Sequence, residues 1–431
     1  MKFFLSKKNF NQIILIGVMT LVFLTFNNCS QTGPSSGFNG TSSYPSPSVA
    51  QIVGSNVTPI TVGCGYVNQP CVSVTICEPA NPANCQTIPN LLLDTGSVGI
   101  RIFSSVVNAS ISSKLLPIKD TTQSPANPYM ACAVYGDGSY QWGPLVSSNV
   151  VIGGMPAVNM PIQLVDFSKG DGGTACKAAH FGVASAPDVA SSGYNGIVGI
   201  EFFLQDCGAG CTTSLFPYYY TCTGSGASTS CAKAIIPLAS QLRNVIAAQA
   251  TDNNGYYIQL PSVAASGAYN PTGYLVFGIG TQPSNNITPS NLKVLNANSS
   301  GQILTTYGSA VNMTAIIDSG SNGYYFPSSL TVCATPLSAF YCPGNTTTLS
   351  AIQLNAVGSV SATVSFTISN ADHMYSPGNA FSTLGGPTPT GFSGYFDWGL
   401  PFFFGKVVCG GVENNSVTIG GSVYTGPFWA Y

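Results

Sequence analysis

Charge is what this sequence has least of. Charged residues make up 6% of its 431 residues, with 12 Lys+Arg against 14 Asp+Glu and a net charge of −2. So few cations over such a length cannot neutralise a row of phosphates, so nucleic acid is not an expected partner. Histidine is nearly absent, with only His180 and His373. Neither has a nucleophile elbow beside it, which argues against a serine-type triad. Neither stands at finger spacing from a cysteine pair, which argues against zinc at Cys207-Gly-Ala-Gly-Cys211. No glycine-rich stretch follows the phosphate-cradling pattern. No metal and no cofactor is expected. Helical patterning is scarce too: the one candidate is AKAIIPLASQLRNVIAAQ (232–249), its start blunted by Pro237.

What the chain does have is 48 Gly, 29 Pro and 11% aromatic residues. That composition predicts an all-β, turn-rich protein, and the length is enough for two lobes. The N-terminus carries Lys2, Lys7 and Lys8, then an apolar run ending at Cys29. Residues 1–29 are expected to be an export signal. They resemble a bacterial lipoprotein signal, in which Cys29 would be lipidated, although Asn28 stands where a small residue is usual. Residues 30–50 are Ser, Gly and Pro with hardly any core former, as in a flexible tether. The expected location is therefore the cell envelope, with membrane contact only through a lipid anchor; the alternatives are an ordinary cleaved signal, which would leave a secreted protein, and a short membrane anchor.

Fourteen cysteines in an exported chain imply disulfides. Short spacings suggest Cys64 with Cys71, Cys77 with Cys85, Cys222 with Cys231 and Cys333 with Cys342. Setting Cys29 aside leaves an odd number, so one thiol should stay free or pair between chains. Asn-x-Ser/Thr sequons such as Asn108-Ala-Ser110 arise readily in a chain this rich in Asn, Ser and Thr and decide nothing alone.

The chemistry-bearing signal is a repeat. LLLDTGSVGI (91–100) and AIIDSGSNGY (315–324) each bring an aspartate to the end of an apolar strand and then turn at once. Aligning Asp94 with Asp318 aligns Gly96 with Gly320, Ser97 with Ser321 and Gly99 with Gly323 without a gap. Two such loops face to face would put two carboxylates in contact. Like charges that close cannot both ionise, so the pair would share one proton and supply a general base and a general acid together. Ser97 and Ser321 hydroxyls are placed to bond the outer carboxylate oxygens. Thr95 and Ser319 are placed to brace the opposite loop, and Gly96 and Gly320 to leave room. A glycosidase also uses two carboxylates but has no reason to duplicate Thr/Ser-Gly-Ser around both.

At these residues the sequence resembles the pepsin-like aspartic proteases. YGDGS (135–139) is similar to that family's flap, which implies Tyr135 as the residue folding over substrate, with Gly136 and Gly138 in the hairpin turn. YNGIVGI (194–200) and WGLPFFFGKVV (398–408) are similar to the strands that thread behind the two aspartate loops, and YLVFGIG (274–280) to the strand entering the second lobe. The whole mature chain looks most like a bacterial exported family of uncharacterised function that keeps both motifs. The resemblance implies a bilobal fold of two pseudo-symmetric β-barrel lobes with a central cleft. The N-terminal lobe would span 51–240, with a cysteine-rich insertion around 176–231, and the C-terminal lobe 241–431. It also implies an aspartic endopeptidase, a monomer, that holds an extended polypeptide as an added strand.

One position departs from that family. Where a tryptophan usually braces the flap tyrosine, this chain has Arg101, a cation near the cleft that would favour ionised carboxylates unless it pairs elsewhere, with Asp137 or a C-terminal acid. Trp142 would either substitute as an apolar lid or simply pack inward. The alternative to an enzyme is a catalytically silent pepsin fold used as a surface or periplasmic lipoprotein that binds peptides or other partners.

Overall fold

The computed structural model describes residues 46–180, 184–287, 292–374, 379–389 and 391–431. The export signal, Cys29 and almost all of the tether lie outside them. The chain is β-rich, as its composition predicts. The α-helices among the described residues are three short ones, Ala109–Ser112, Thr174–Ala179 and Val189–Ser192.

The first aspartate is delivered by a hairpin. Pro70–Glu78 pairs antiparallel with Asn81–Asp94, Cys77 stands opposite Cys85, and a disulfide closes the pair. The Asn81–Asp94 strand begins exposed and ends buried, with Leu91, Leu92 and Leu93 fully covered. Each leucine contributes about 1.5–3 kcal/mol by that burial, which pins the strand end where the aspartate follows. In the second half a seven-stranded sheet runs in the order Ser361–Ile368, Thr347–Leu354, Ile303–Tyr307, Ala310–Ile317, Tyr395–Trp398, Tyr324–Tyr325 and Gly385–Gly386. Phe326, Phe366, Phe396 and Trp398 pack against one another on it, with Phe396 and Trp398 stacked at 4.3 Å between centroids.

A further set of strands ties the halves of the sequence together. Val57–Val62 pairs with Thr272–Phe277, which pairs with Gly255–Gln259, then Val407–Gly411, then Phe428–Ala430.

Each aspartate turn has a strand threaded through it. Gly196–Ile200 runs parallel to the end of Asn81–Asp94, with Gly199 level with Asp94, and antiparallel to Val98–Phe103. In the second half Tyr395–Trp398 lies parallel to Ala310–Ile317 and antiparallel to Tyr324–Tyr325. The first threading strand is where the sequence placed it. The second is displaced: the strand is Tyr395–Trp398, and the expected 398–408 segment instead turns through a 3-10 helix at Leu400–Phe403 into Val407–Gly411. A glycine follows each crossing for want of space. A Cβ on Gly199 would stand 2.7 Å from Ser97 Oγ, and one on Gly399 would stand 2.1 Å from the Gly323 carbonyl oxygen.

The helix expected at 232–249 does not form. Ser230–Lys233 is a strand and Leu238–Ser240 a single 3-10 turn, with Pro237 capping it. Long-range pairing wins over local propensity here: Ala234 N–H donates to Tyr219 O, Ile236 N–H to Cys211 O and Asn244 N–H to Leu204 O. Ile236, Leu242, Val245 and Ile246 are fully buried as a result.

All four disulfides suggested by spacing are present. Cys207 and Cys211 form a fifth, so neither is available to a metal as a thiolate, and Cys132–Cys176 is a sixth. Among the described residues Cys409 is the free thiol, and it is buried.

Candidate active site

The two aspartate loops meet. Thr95 Oγ1 donates to Ile317 O (2.9 Å) and accepts from the Ser319 amide (2.8 Å). Reciprocally, Ser319 Oγ donates to Leu93 O (2.8 Å) and accepts from the Thr95 amide (3.1 Å). Four buried hydrogen bonds between residues more than 220 positions apart thus fix one loop against the other. The carboxyls sit symmetrically within this clamp. Gly96 N–H donates to Asp94 Oδ1 (2.9 Å) and Gly320 N–H to Asp318 Oδ1 (2.8 Å). Ser97 Oγ donates to Asp94 Oδ2 (2.5 Å) and Ser321 Oγ to Asp318 Oδ2 (2.8 Å).

Asp94 and Asp318 are within hydrogen-bonding contact of each other. Gly96 and Gly320 make that contact possible: a Cβ on Gly96 would stand 2.8 Å from Asp318 Cγ, and one on Gly320 would stand 2.5 Å from Asp94 Oδ1. Both acids are fully buried. Burial, then the Asp94 carboxyl and Asp397, push Asp318 well above the usual carboxylate range, while the Ser321 hydroxyl pulls it down. The pair therefore holds on to a proton more tightly than a lone carboxyl would. A neutral acid and a potential base are held in contact.

Asn68 completes the clamp. It adopts a left-handed backbone (φ 56°), and its Nδ2 donates to Asn322 O (2.8 Å) and Phe381 O (2.9 Å), while its Oδ1 accepts from Phe381 N–H (2.7 Å). It fastens the second aspartate loop to a turn near the start of the chain.

The flap-like hairpin is formed by Asn127–Val134 and Ser139–Ile152. Tyr135 N–H donates to Ser139 O and Gly138 N–H to Tyr135 O, with Gly136 and Asp137 between and Gly138 at φ 80°. Tyr135 itself is turned inward. It packs with Leu92, Phe103 and Ile197, and its hydroxyl donates to Gln141 Oε1 at 2.8 Å. Burial raises its pKa, with Arg101 opposing and Asp94 adding to the rise. Trp142 packs inward as well, its Nε1 donating to Lys169 O and its ring edge-on to Tyr220.

Arg101 is buried and meets an acid of the cysteine-rich segment. Its Nη1 donates to Val98 O (2.8 Å) and its Nη2 meets Asp206 Oδ2 at 3.5 Å. Asp206 also accepts from the Tyr219 hydroxyl, which in turn accepts from Leu242 N–H. The cation is thus neutralised by the cysteine-rich segment.

Among the described residues the grouping of metal-type side chains is Cys333, Cys342 and Asp372, and its two sulfurs are joined as a disulfide. Sequence reasoning missed Asn68, Asp206 and Asp397. Asn68 and Asp206 act on partners over a hundred residues away, and Asp397 stands inside an aromatic run.

The profile of a family described as "Protein of unknown function (DUF3443)" matches residues 53–431. The chain belongs to that family. Comparison with curated proteins returns no match. The match begins past the tether and takes in both aspartate loops, the flap-like hairpin and both threading strands.

Proposed function

We propose that this member of the DUF3443 family is an exported, pepsin-like aspartic endopeptidase of two pseudo-symmetric lobes, with Asp94 and Asp318 as its catalytic dyad. The observation that carries this reading is the reciprocal Thr95–Ser319 clamp, which serves no purpose in capping two separate turns but holds two carboxyls in contact. In the proposed cycle the ionised Asp94 takes a proton from a bound water. Neutral Asp318 donates its proton to the peptide carbonyl oxygen as the water oxygen attacks the carbon, giving a gem-diol; the proton held on Asp94 then passes to the leaving nitrogen as the C–N bond breaks, and a diol hydroxyl returns its proton to Asp318. No metal or covalent intermediate enters. The substrate would be an extended polypeptide bound by a monomer, and the six disulfides support an oxidising, exported setting. Lipidation of Cys29 would anchor the protein in the envelope.

A second reading rests on its own observation. Both acids are fully covered and Tyr135 is packed inward, as suits a catalytically silent fold that binds peptides or other partners. Incubation with a mixed peptide library from pH 3 to 7, with and without a statine-type inhibitor, separates the two. The peptidase reading expects inhibitable cleavage that disappears in Asp94→Asn. Absence of cleavage across the range, with peptide binding that survives the substitution, would establish the silent binder instead.

A further inference from the structure

The seven-stranded sheet of the second half ends in an open edge. Its last strand, Ser361–Ile368, pairs with Thr347–Leu354 through eight consecutive residues and, among the described residues, sends no backbone hydrogen bond to its other side. The first half contains the same outer strand. There Ser139–Ile152 lies against the first strand of the hairpin that delivers Asp94, as Thr347–Leu354 lies against the first strand of the hairpin that delivers Asp318, and Met155–Val165 is the strand outside it. That strand is blunted in the ways that keep edges from pairing: it carries Pro156 and Pro161, Asn159 adopts a left-handed backbone (φ 48°), and the pairing shifts register between Ser148 and Val150. Ser361–Ile368 has none of these devices. It has no proline, no positive φ and no register shift, and no charged residue or histidine lies anywhere between Asp318 and Asp372.

An edge this regular is a template for a further strand, and its side chains indicate which. Ser361, Thr363 and Ser365 are exposed and Thr367 is half-buried on the outer face, while Val364, Phe366 and Ile368 are buried on the core face. With no charge on it, the edge neither recruits a charged partner nor repels its own copy. Laid antiparallel to a second copy with Val364 opposite Val364, the strand places Ser361 opposite Thr367 and Thr363 opposite Ser365 on the outer face, and Ala362 opposite Phe366 on the core face. The exposed Val360 then comes opposite Ile368 at the end of the same pairing. Every hydroxyl meets a hydroxyl and every apolar side chain an apolar one. The strand pair already present shows the hydroxyl contact: Ser350 stands opposite Ser365, and the Thr348 and Thr367 hydroxyls meet at 3.5 Å. We propose that Ser361–Ile368 pairs with the same strand of a second copy of the chain, joining two seven-stranded sheets about a twofold axis. Taken alone, one strand pair is smaller than the roughly 1,200–2,000 Å² that stable complexes bury, so the chain is a monomer when dilute and pairs when crowded. A lipid anchor at Cys29, as proposed above, would supply the crowding.

Each copy keeps its own pair of aspartates, so the self-pairing goes beyond the peptidase reading and holds whether or not any peptide is cleaved. Sedimentation of the full mature chain without lipid, from about 5 µM to about 1 mM, should show a monomer giving way to a dimer with a Kd on the order of 0.1–1 mM. Thr363→Lys combined with Ser365→Lys sets lysine opposite lysine at two places and should weaken the dimer about tenfold or more, and Thr363→Glu with Ser365→Glu should do the same. Both positions are exposed, so both double variants should melt as wild type does. Mixed in equal amounts, the two variants should associate at least as tightly as wild type, because opposite charges then face each other. A chain that stays monomeric up to about 1 mM, a dimer that neither variant weakens, or variants that do not recover on mixing overturns the proposal. Uptake of an added uncharged peptide by monomeric wild type, lost in the lysine variant, would assign the edge to another polypeptide and overturn the self-pairing as well.

Discussion

Thr95 and Ser319 each place a hydroxyl on the other's backbone: the Ser319 amide donates to Thr95 Oγ1 at 2.8 Å, and the Thr95 amide donates to Ser319 Oγ at 3.1 Å. The pair is the mechanical link between the two aspartate loops. Removing either hydroxyl leaves a buried amide without its acceptor, so Thr95→Ala and Ser319→Ala should each cost about 1–3 kcal/mol in urea unfolding. Because the residues act on each other, the double variant should depart from additivity by about 0.5–3 kcal/mol. Thr95→Ser, which keeps the hydroxyl, should lose much less.

Gly96 and Gly320 carry a steric prediction. A methyl group on either would meet the opposite aspartate, so Gly96→Ala and Gly320→Ala should destabilise by about 1–3 kcal/mol and push the carboxyls apart. On the peptidase reading, cleavage should be lost in protein that still melts cooperatively. Full activity in Gly320→Ala would mean that the acids do not need their contact.

Arg101 and Asp206 form a buried pair, and breaking it strands a charge. Asp206→Asn and Arg101→Leu should each cost about 3–5 kcal/mol, and the double variant should recover a large part of that. Denaturant titration of the three variants measures it. A double variant as unstable as the sum of the singles would show that the pair does not act as a unit.

The dyad also sets a pH dependence of stability. Asp318 and Asp397 have folded-state pKa values raised above those of the unfolded chain. Each contributes stability that is fully present below about pH 4 and is lost as pH rises through the folded value, because the folded state binds more protons. For Asp397 the loss is spread from pH 4 up to about 8. Thermal melts should therefore show a Tm that falls between pH 4 and 8. Asp397→Asn should flatten that slope by an amount on the order of 2–5 kcal/mol over the range, and Asp318→Asn should flatten it in the same direction. A Tm that climbs over the same interval would contradict the assignment of protons to these two groups.

Much of this was legible in the sequence because it is local. Alternation, three leucines and a turn were enough to locate Asp94, and disulfides spanning seven to nine residues follow from hairpin spacing. Gap-free alignment of the two motifs was enough to bring Ser97, Ser321, Thr95 and Ser319 together. What escaped was decided by distant partners. Residues 232–249 look helical in isolation, but backbone bonds to Tyr219, Cys211 and Leu204 hold Ala234, Ile236 and Asn244 out of a continuous helix. Cys132–Cys176 closes a separation of 44 residues, and Arg101–Asp206 one of 105, with no periodicity to announce either. Asp397 sits between Phe396 and Trp398, and only the strand register reveals that it stands on the face away from the aromatic stack.

The most direct measurement is the proton inventory of the two aspartates, followed by ¹³C resonances of their side-chain carbons from pH 2 to 9 in wild type and in Asp94→Asn. Contact between them predicts that the two carbons respond to each other's titration, that a proton is held on Asp318 well above the ordinary carboxylate range, and that the Asp318 transition falls when Asp94 loses its charge. Two independent transitions at ordinary values, unmoved by the substitution, would contradict it.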